Sequence, residues 1–250
     1  MLTSSCLNEE APLSGSLLIR TWNDSTTPLP LRSIRPPNRY RAQPVVMPAP
    51  SWLPTGPLGQ PFDFCGHVRR LCSDISHRCE LFRHVDVARL LFATTQARSG
   101  RGHGLQARVT PLRFRDGCLT RRRRGVPYQV QRYFVGDREM LYVMTFCLPR
   151  FLDQEFDDKF ITVFHELYHI GPAFDGDLRR HEGRYAIHSH SKHGYDAQMA
   201  ALARAYLASG PDPGLHAFLR LNFSQLQERH GCVVGVVVPR PKLIPVPARG

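Results

Sequence analysis

The pattern of apolar and polar residues along the chain changes character near Phe62. Before that position, the segment from Thr26 to Pro61 is dense in proline, which fixes φ and removes a backbone donor. The C-terminal segment PRPKLIPVPARG has a similar composition. We therefore predict extended or disordered tails at residues 1–61 and 241–250, and one folded domain at residues 62–240.

Within that domain, apolar residues recur at the period of helices in some segments and follow the pattern of strands in others. The predicted helices span about 65–97, 153–169, 191–209 and 214–230. The predicted strands span 105–114, 126–135, 139–148 and 232–239. This order of elements predicts an α+β domain with a small, mostly antiparallel sheet.

The helix predicted at 153–169 carries an H-E-x-x-H motif, formed by His165, Glu166 and His169. Residues four apart on a helix share a face, with Cβ atoms ~5–6 Å apart, so both imidazoles can bind one Zn²⁺. Glu166 directly follows the first histidine, where it flanks the metal and can act as general base on a metal-bound water. The alternative is an ordinary amphipathic helix whose dipole favours histidines near its C-terminus.

A catalytic zinc site usually has a third protein ligand, and the segment after the motif offers several candidates. Its histidines are His181, His188, His190 and His193. If the helix at 191–209 packs on the motif helix through the face that carries Tyr195, continuing that face backward points His188 toward the metal. His193 then points away. This geometry favours His188 as the third ligand.

An acidic third ligand is the alternative. In the extended H-E-x-x-H-x-x-G-x-x-H form, the last position corresponds to Asp175. Pro172 stands at the glycine position of that form, and Gly171 lies one residue early. The chain therefore departs from the metzincin pattern, and Asp175 ranks below His188.

The motif and its surroundings resemble phage-type metallopeptidases, a family found in bacteria and phages. The similar segments are HELYHIGPAFDGDLRRHEGRY, which begins at His165, and the later H..S...YDAQM, which begins at His188. The similarity extends from about Phe82 to about Leu207. It implies a minimal zincin-like domain and a zinc-dependent hydrolase, in which His165, His169 and His188 bind the metal and Glu166 is the base.

A looser similarity to SprT-like proteases implies a different third ligand. In those proteins a His-Gly pair after the motif supplies it, which corresponds to His193 and Gly194 here. Residues expected to stabilise the oxyanion are Tyr168, Tyr185, Tyr195 and Arg184, and the sequence does not select among them.

The net charge of +12 favours anionic partners, and Arg121 to Arg124 form a short basic run. Contact with nucleic acid through this run and the basic N-terminal arm is therefore an alternative to a purely peptide or protein substrate. No apolar run approaches the ~20 residues of a membrane span. The seven cysteines match no secreted disulfide framework, and no signal peptide is recognisable, so we expect a cytoplasmic protein that does not enter membranes.

These observations predict a zinc metallopeptidase that hydrolyses peptide bonds through a zinc-activated water, with Glu166 as general base. Two alternatives remain. One is a non-catalytic zinc-binding module, whose metal is closed by a fourth protein ligand. The other is a DNA-associated, SprT-like protease or nucleic-acid binder.

Overall fold

The computed structural model describes residues 18–23, 26–37, 53–98, 104–180 and 192–246. In these ranges the chain folds into helices and small β-sheets, which confirms the predicted α+β class. The more specific zincin-like arrangement stays a prediction. None of the helices in these ranges is long and apolar enough to cross a bilayer.

Among the described residues, one α-helix follows the first strands, and four more come one after another in the second half of the chain. Their bounds are α1 Phe64–Arg78, α2 Phe156–Tyr168, α3 Lys192–Ala208, α4 Pro213–His216 and α5 Phe223–His230. Polar side chains cap several of them. Asp63 accepts a hydrogen bond from the Gly66 N–H at the start of α1, and Asn222 forms a capping box with Gln225 at the start of α5.

The strands form four three-stranded sheets in the described ranges. Their bounds are β1 Ile19–Trp22, β2 Leu31–Ser33, β3 Phe62–Asp63, β4 Leu90–Gln96, β5 Ala107–Pro111, β6 Thr120–Arg123, β7 Val126–Val130, β8 Arg132–Val135, β9 Arg138–Met140, β10 Tyr142–Leu148, β11 Val233–Val236 and β12 Leu243–Pro245. The sheet orders are β1-β8-β9, β4-β10-β5, β2-β11-β3 and β12-β7-β6.

The arrangement of strands differs from the single sheet predicted. Antiparallel pairings do outnumber parallel ones, but β1–β8, β4–β10 and β3–β11 are parallel. The predicted strand at 126–135 is divided at Gln131 into β7 and β8, which belong to different sheets. Strand partners are distant in sequence, so the pattern of one segment does not reveal them.

Parts of the predicted tails are incorporated into sheets. β1 and β2 lie within residues 1–61, and β12 lies within 241–250. Each of the three is an edge strand, a position that tolerates proline nearby because one side of the strand needs no ladder hydrogen bonds. Trp22 in β1 is buried against Tyr133, with ring centroids 5.1 Å apart. The folded unit therefore reaches beyond the boundaries drawn at 62 and 240.

The helix predicted at about 65–97 is wrong beyond Arg78. α1 ends there, two short 3-10 turns follow, and the chain then enters strand β4. β4 pairs in parallel with β10 along its whole length, from Leu90 opposite Tyr142 to Gln96 opposite Leu148. A short apolar run fits either a helix or a strand, and here the pairing with β10 decides.

The motif helix α2 lies in the middle of the apolar core. Its buried apolar face belongs to one hydrophobic cluster together with residues of α1, α3 and β10. The residues that α2 contributes to this cluster are Phe160, Val163, Phe164 and Leu167. α3 contributes Tyr195, Met199, Ala203 and Tyr206 to the same cluster. The predicted packing of α3 on α2 is therefore present, and it brings residues of α3 against the histidines of the motif.

Candidate metal centre

The two histidines of the motif lie side by side at the C-terminal end of α2. Their ring centroids are 4.6 Å apart, and the ring planes make an angle of 64°. Helical geometry continues through His169, whose N–H donates to the carbonyl of His165 at 3.2 Å. Two imidazole nitrogens bound to one zinc at ~2.0–2.1 Å in tetrahedral geometry lie ~3.4 Å apart, and two rings this close to each other can reach that arrangement. The pair therefore fits two ligands of one metal ion.

Glu166 is buried beside the two histidines. Its side chain is 7 % exposed, and its Oε2 has no hydrogen-bond partner within the described part of the chain. Burial raises the pKa of the carboxyl to about 7, although a hydrogen bond from the backbone N–H of Val109 in β5 acts in the opposite direction. A buried carboxylate oxygen without a partner is costly, so it suggests a role in chemistry rather than in folding.

Tyr195 of α3 lies against the two histidines of the motif. Its ring centroid lies 4.6 Å from that of His165 and 6.4 Å from that of His169. The residue is 6 % exposed, and its hydroxyl has no hydrogen-bond partner among the described residues. Burial raises the pKa of this phenol, so it stays a neutral donor at physiological pH. Of the predicted oxyanion-stabilising residues, Tyr195 therefore has a free donor next to the motif.

The segment that follows α2 folds back onto the end of the helix. Ile170 and Leu178 form an isolated antiparallel bridge, and the N–H of Arg179 donates to the carbonyl of His169 at 2.7 Å. The Arg179 side chain donates through Nε to the carbonyl of Tyr168 at 2.8 Å and places its guanidinium 4.3 Å from the centroid of the Tyr168 ring. A cation at this end complements the helix dipole and fixes the backbone of the second histidine.

Arg179 was not identified from the sequence as a site residue. It lies in the segment FDGDLRR, which the sequence analysis used only for a resemblance. The one available signal was a basic residue shortly after the C-terminus of a helix, where such residues commonly bond the last carbonyls. That signal is too frequent on protein surfaces to select one residue.

The side chain of Asp175 takes part in a hydrogen bond within its own loop. Its Oδ1 accepts a hydrogen bond from the N–H of Asp177 at 3.0 Å, and Asp177 in turn forms an ion pair with Arg180 at 3.0 Å. Within the described ranges, no three residues of the types His, Cys, Asp and Glu are grouped so that they could hold a metal ion. Asp175 therefore does not complete the ligand set with His165 and His169.

The other candidates for the third ligand lie outside the described part of the chain. His181, His188 and His190 lie outside the described residues, as do Arg184 and Tyr185. His193 belongs to the helix α3, but its side chain is also outside the described part. The structure thus brings together His165, Glu166 and His169, and the choice of His188 stays a prediction.

Comparisons with known proteins give no match: the chain matches no family model, no curated protein and no solved structure. The resemblance to phage-type metallopeptidases accordingly rests on the motif and its neighbouring segments alone.

Proposed function

We propose that this chain is a zinc-dependent peptidase whose centre is formed by His165, His169, Glu166 and Tyr195. The observation that carries the proposal is Glu166, a buried carboxylate with an oxygen that has no partner among the described residues. It follows His165 directly in the sequence and interacts electrostatically with Tyr195, whose hydroxyl also has no described partner and whose ring contacts His165. Folding alone does not favour two unpaired buried polar groups at one place. An acid–base reaction at that place gives both of them a role.

The two histidines would hold the metal, together with a third ligand that we assign to His188. When bound, Zn²⁺ supplies a Lewis acid that polarises a carbonyl group and lowers the pKa of water. The side chains beside it then move the protons. Glu166 takes a proton from the attacking water and later gives it to the leaving amine. The hydroxyl of Tyr195 donates to the carbonyl oxygen as that oxygen gains negative charge.

A non-catalytic zinc module is the main alternative, and Glu166 argues against it. A structural site needs four protein ligands and no unpaired carboxylate beside them. The raised pKa of Glu166 marks a group whose charged form is destabilised by its surroundings, a feature common at active sites. In a purely structural module, an apolar or amide side chain at this position would be more stable.

The test separates metal binding from turnover. The full chain is purified with zinc in the medium, and its zinc content and its cleavage of a mixed peptide pool are measured beside those of two variants. Glu166→Gln should keep the zinc and lose at least ~10²-fold in rate, the lower range for a positioned general base. Glu80→Gln changes the same group at an exposed site and should behave as wild type.

Two outcomes would overturn the proposal. One is full activity of the Glu166→Gln variant, which would assign the cleavage to another group or a contaminant. The other is a zinc ion held by four protein ligands in a protein that cleaves no peptide. His169→Ala should abolish zinc binding in either the catalytic or the structural case, so it tests the metal and not the chemistry.

A further inference from the structure

Strands β6 and β7 form a hairpin that carries the basic run. They pair antiparallel, with Arg121 opposite Tyr128 and Arg123 opposite Val126. The turn between them consists of Arg124 and Gly125, whose φ angles of 50° and 80° are those of a type I′ hairpin turn. β12 extends the sheet on the other side of β7, where Pro245 lies opposite Tyr128.

The charge of this hairpin is not compensated within the described part of the chain. Arg121 to Arg124 are all exposed, and none of them takes part in an ion pair there. The sequence has no Asp or Glu between residues 117 and 136, nor between residues 231 and 250, the segment that contains β12. The result is a local concentration of positive charge on a chain whose net charge is already +12.

The pairing register sorts these side chains onto two faces. Directly opposed residues in an antiparallel pair point to the same side, so Arg121 and Arg123 share a face with Tyr128. That face is open around Val126 and Leu243, which are 42 % and 52 % exposed, whereas Val130 on the same face packs against the core cluster that contains Tyr133. Arg122 lies on the other face, which also carries the buried side chain of Gln129.

We propose that the open face of this hairpin binds single-stranded nucleic acid, independently of the metal centre. Arg121 and Arg123 are two residues apart on a strand, ~7 Å along it, and can bind successive phosphates of an extended strand. Tyr128 lies between them and β12, where its half-buried ring offers a surface on which an unpaired base stacks. A duplex hides the faces of its bases, so the aromatic residue favours a single strand.

The experiment measures the binding of the full chain to a fluorescein-labelled 20-nucleotide oligothymidylate by anisotropy between 50 and 200 mM salt. The slope of log K against log salt reports the number of phosphates bound, at ~0.7 per phosphate for single strands. Arg121→Ala should lower the magnitude of this slope by about that amount. Arg122→Ala removes the same charge from the same strand on the opposite face and should leave the slope nearly unchanged.

Tyr128 provides the second readout. Tyr128→Phe keeps an aromatic ring and should bind as wild type, whereas Tyr128→Leu should lose at least about fivefold in affinity. Thermal unfolding of each variant checks that the sheet is intact. Tight binding to the oligonucleotide with this pattern of variants supports the proposal.

Several results would overturn it. They are an absence of binding at the lowest salt, equal losses from Arg121→Ala and Arg122→Ala, or equally tight binding of a 20-base-pair duplex. Equal losses would mean that only net charge matters. Capture by vesicles of phosphatidylcholine and phosphatidylserine, without binding to the oligonucleotide, would assign the hairpin to anionic membranes instead.

Discussion

The ring of Tyr195 stands nearly perpendicular to the ring of His165, at 76°, with their centroids 4.6 Å apart. The two residues come from different helices, α3 and α2, and they meet because α3 packs its apolar face on the motif helix. The contact places a buried hydroxyl without a described partner beside the histidines and Glu166. The packing of α3 on α2 therefore determines the position of the Tyr195 hydroxyl in the proposed metal centre.

The first prediction concerns that hydroxyl. Tyr195→Phe removes one donor from the oxyanion and should lower kcat by ~10²-fold, with zinc content unchanged. Because the hydroxyl has no described hydrogen-bond partner, thermal stability should not fall. Steady-state kinetics and a melting curve measure the two effects.

Tyr206→Phe is the matched control on the same helix. The Tyr206 hydroxyl donates to the carboxylate Oδ2 of Asp74 at 2.7 Å, so this variant should lose at least about 1.5 kcal/mol of stability and keep its activity. The opposite pattern, with activity lost at Tyr206 and stability lost at Tyr195, would remove Tyr195 from the mechanism.

The second prediction concerns the stability of the metal-free protein as a function of pH. The folded state raises the pKa of Glu166 to about 7 from its ordinary value of 4.5, so the folded protein binds more protons than the unfolded chain between these pH values. The contribution of Glu166 to the free energy of unfolding is therefore fully present below about pH 4.5 and is lost as the pH rises through 7. In the presence of a metal chelator at pH 8, the free energy of unfolding of Glu166→Gln should exceed that of the wild type by about 3 kcal/mol.

Urea unfolding at pH 5 and pH 8 measures this difference. The advantage of the Gln variant should fall to about 1 kcal/mol at pH 5, where the wild-type carboxyl is mostly protonated in the folded state but already partly ionised in the unfolded state. If the two proteins differ in stability by the same amount at both pH values, the pKa of Glu166 does not change on folding. Its burial would then not support a role in acid–base chemistry.

The third prediction concerns the third metal ligand. His188→Ala should reduce zinc affinity strongly, whereas His190→Ala should not. The reason is the expectation from the sequence that the face of Tyr195, continued backward in helical register, reaches His188. Zinc competition with a coloured chelator measures the affinities. If His193→Ala is the damaging change, the SprT-like placement is correct. Asp175→Ala should leave zinc affinity unchanged, since Asp175 caps the N–H of Asp177.

The fourth prediction concerns how α2 is anchored. The ammonium of Lys159 is buried and donates to the carbonyls of Leu219 and Leu221 at 3.0 and 2.9 Å. Burial lowers its pKa to about 8. Lys159→Ala leaves two buried carbonyls without their donor and should cost at least about 2 kcal/mol. Arg204→Ala, at an exposed position of α3, should cost less than about 0.5 kcal/mol.

Denaturant unfolding compares the two variants. Equal stability of Lys159→Ala and Arg204→Ala would mean that the buried ammonium contributes nothing net to the position of α2. The start of this helix also differs from the predicted bound at 153. Glu155 is the N-cap, and Asp153 instead accepts a hydrogen bond from the N–H of Phe223 at the start of α5.

The sequence by itself determined the features that depend on neighbours within a few turns. The period of apolar residues located α2 and α3, and the four-residue spacing of His165 and His169 placed their rings on one face. Helical geometry is set by short-range contacts, so it can be read from short segments.

The tertiary structure decided everything that depends on partners far apart in the chain. The last part of the helix predicted at 65–97 is strand β4 instead, because β10 offers a full ladder of hydrogen bonds there. The tertiary structure drew β1, β2 and β12 from the predicted tails into sheet edges. It also set Tyr195 and Arg179 against the motif helix and buried Glu166. Those positions follow from the packing of whole elements, which no local pattern encodes.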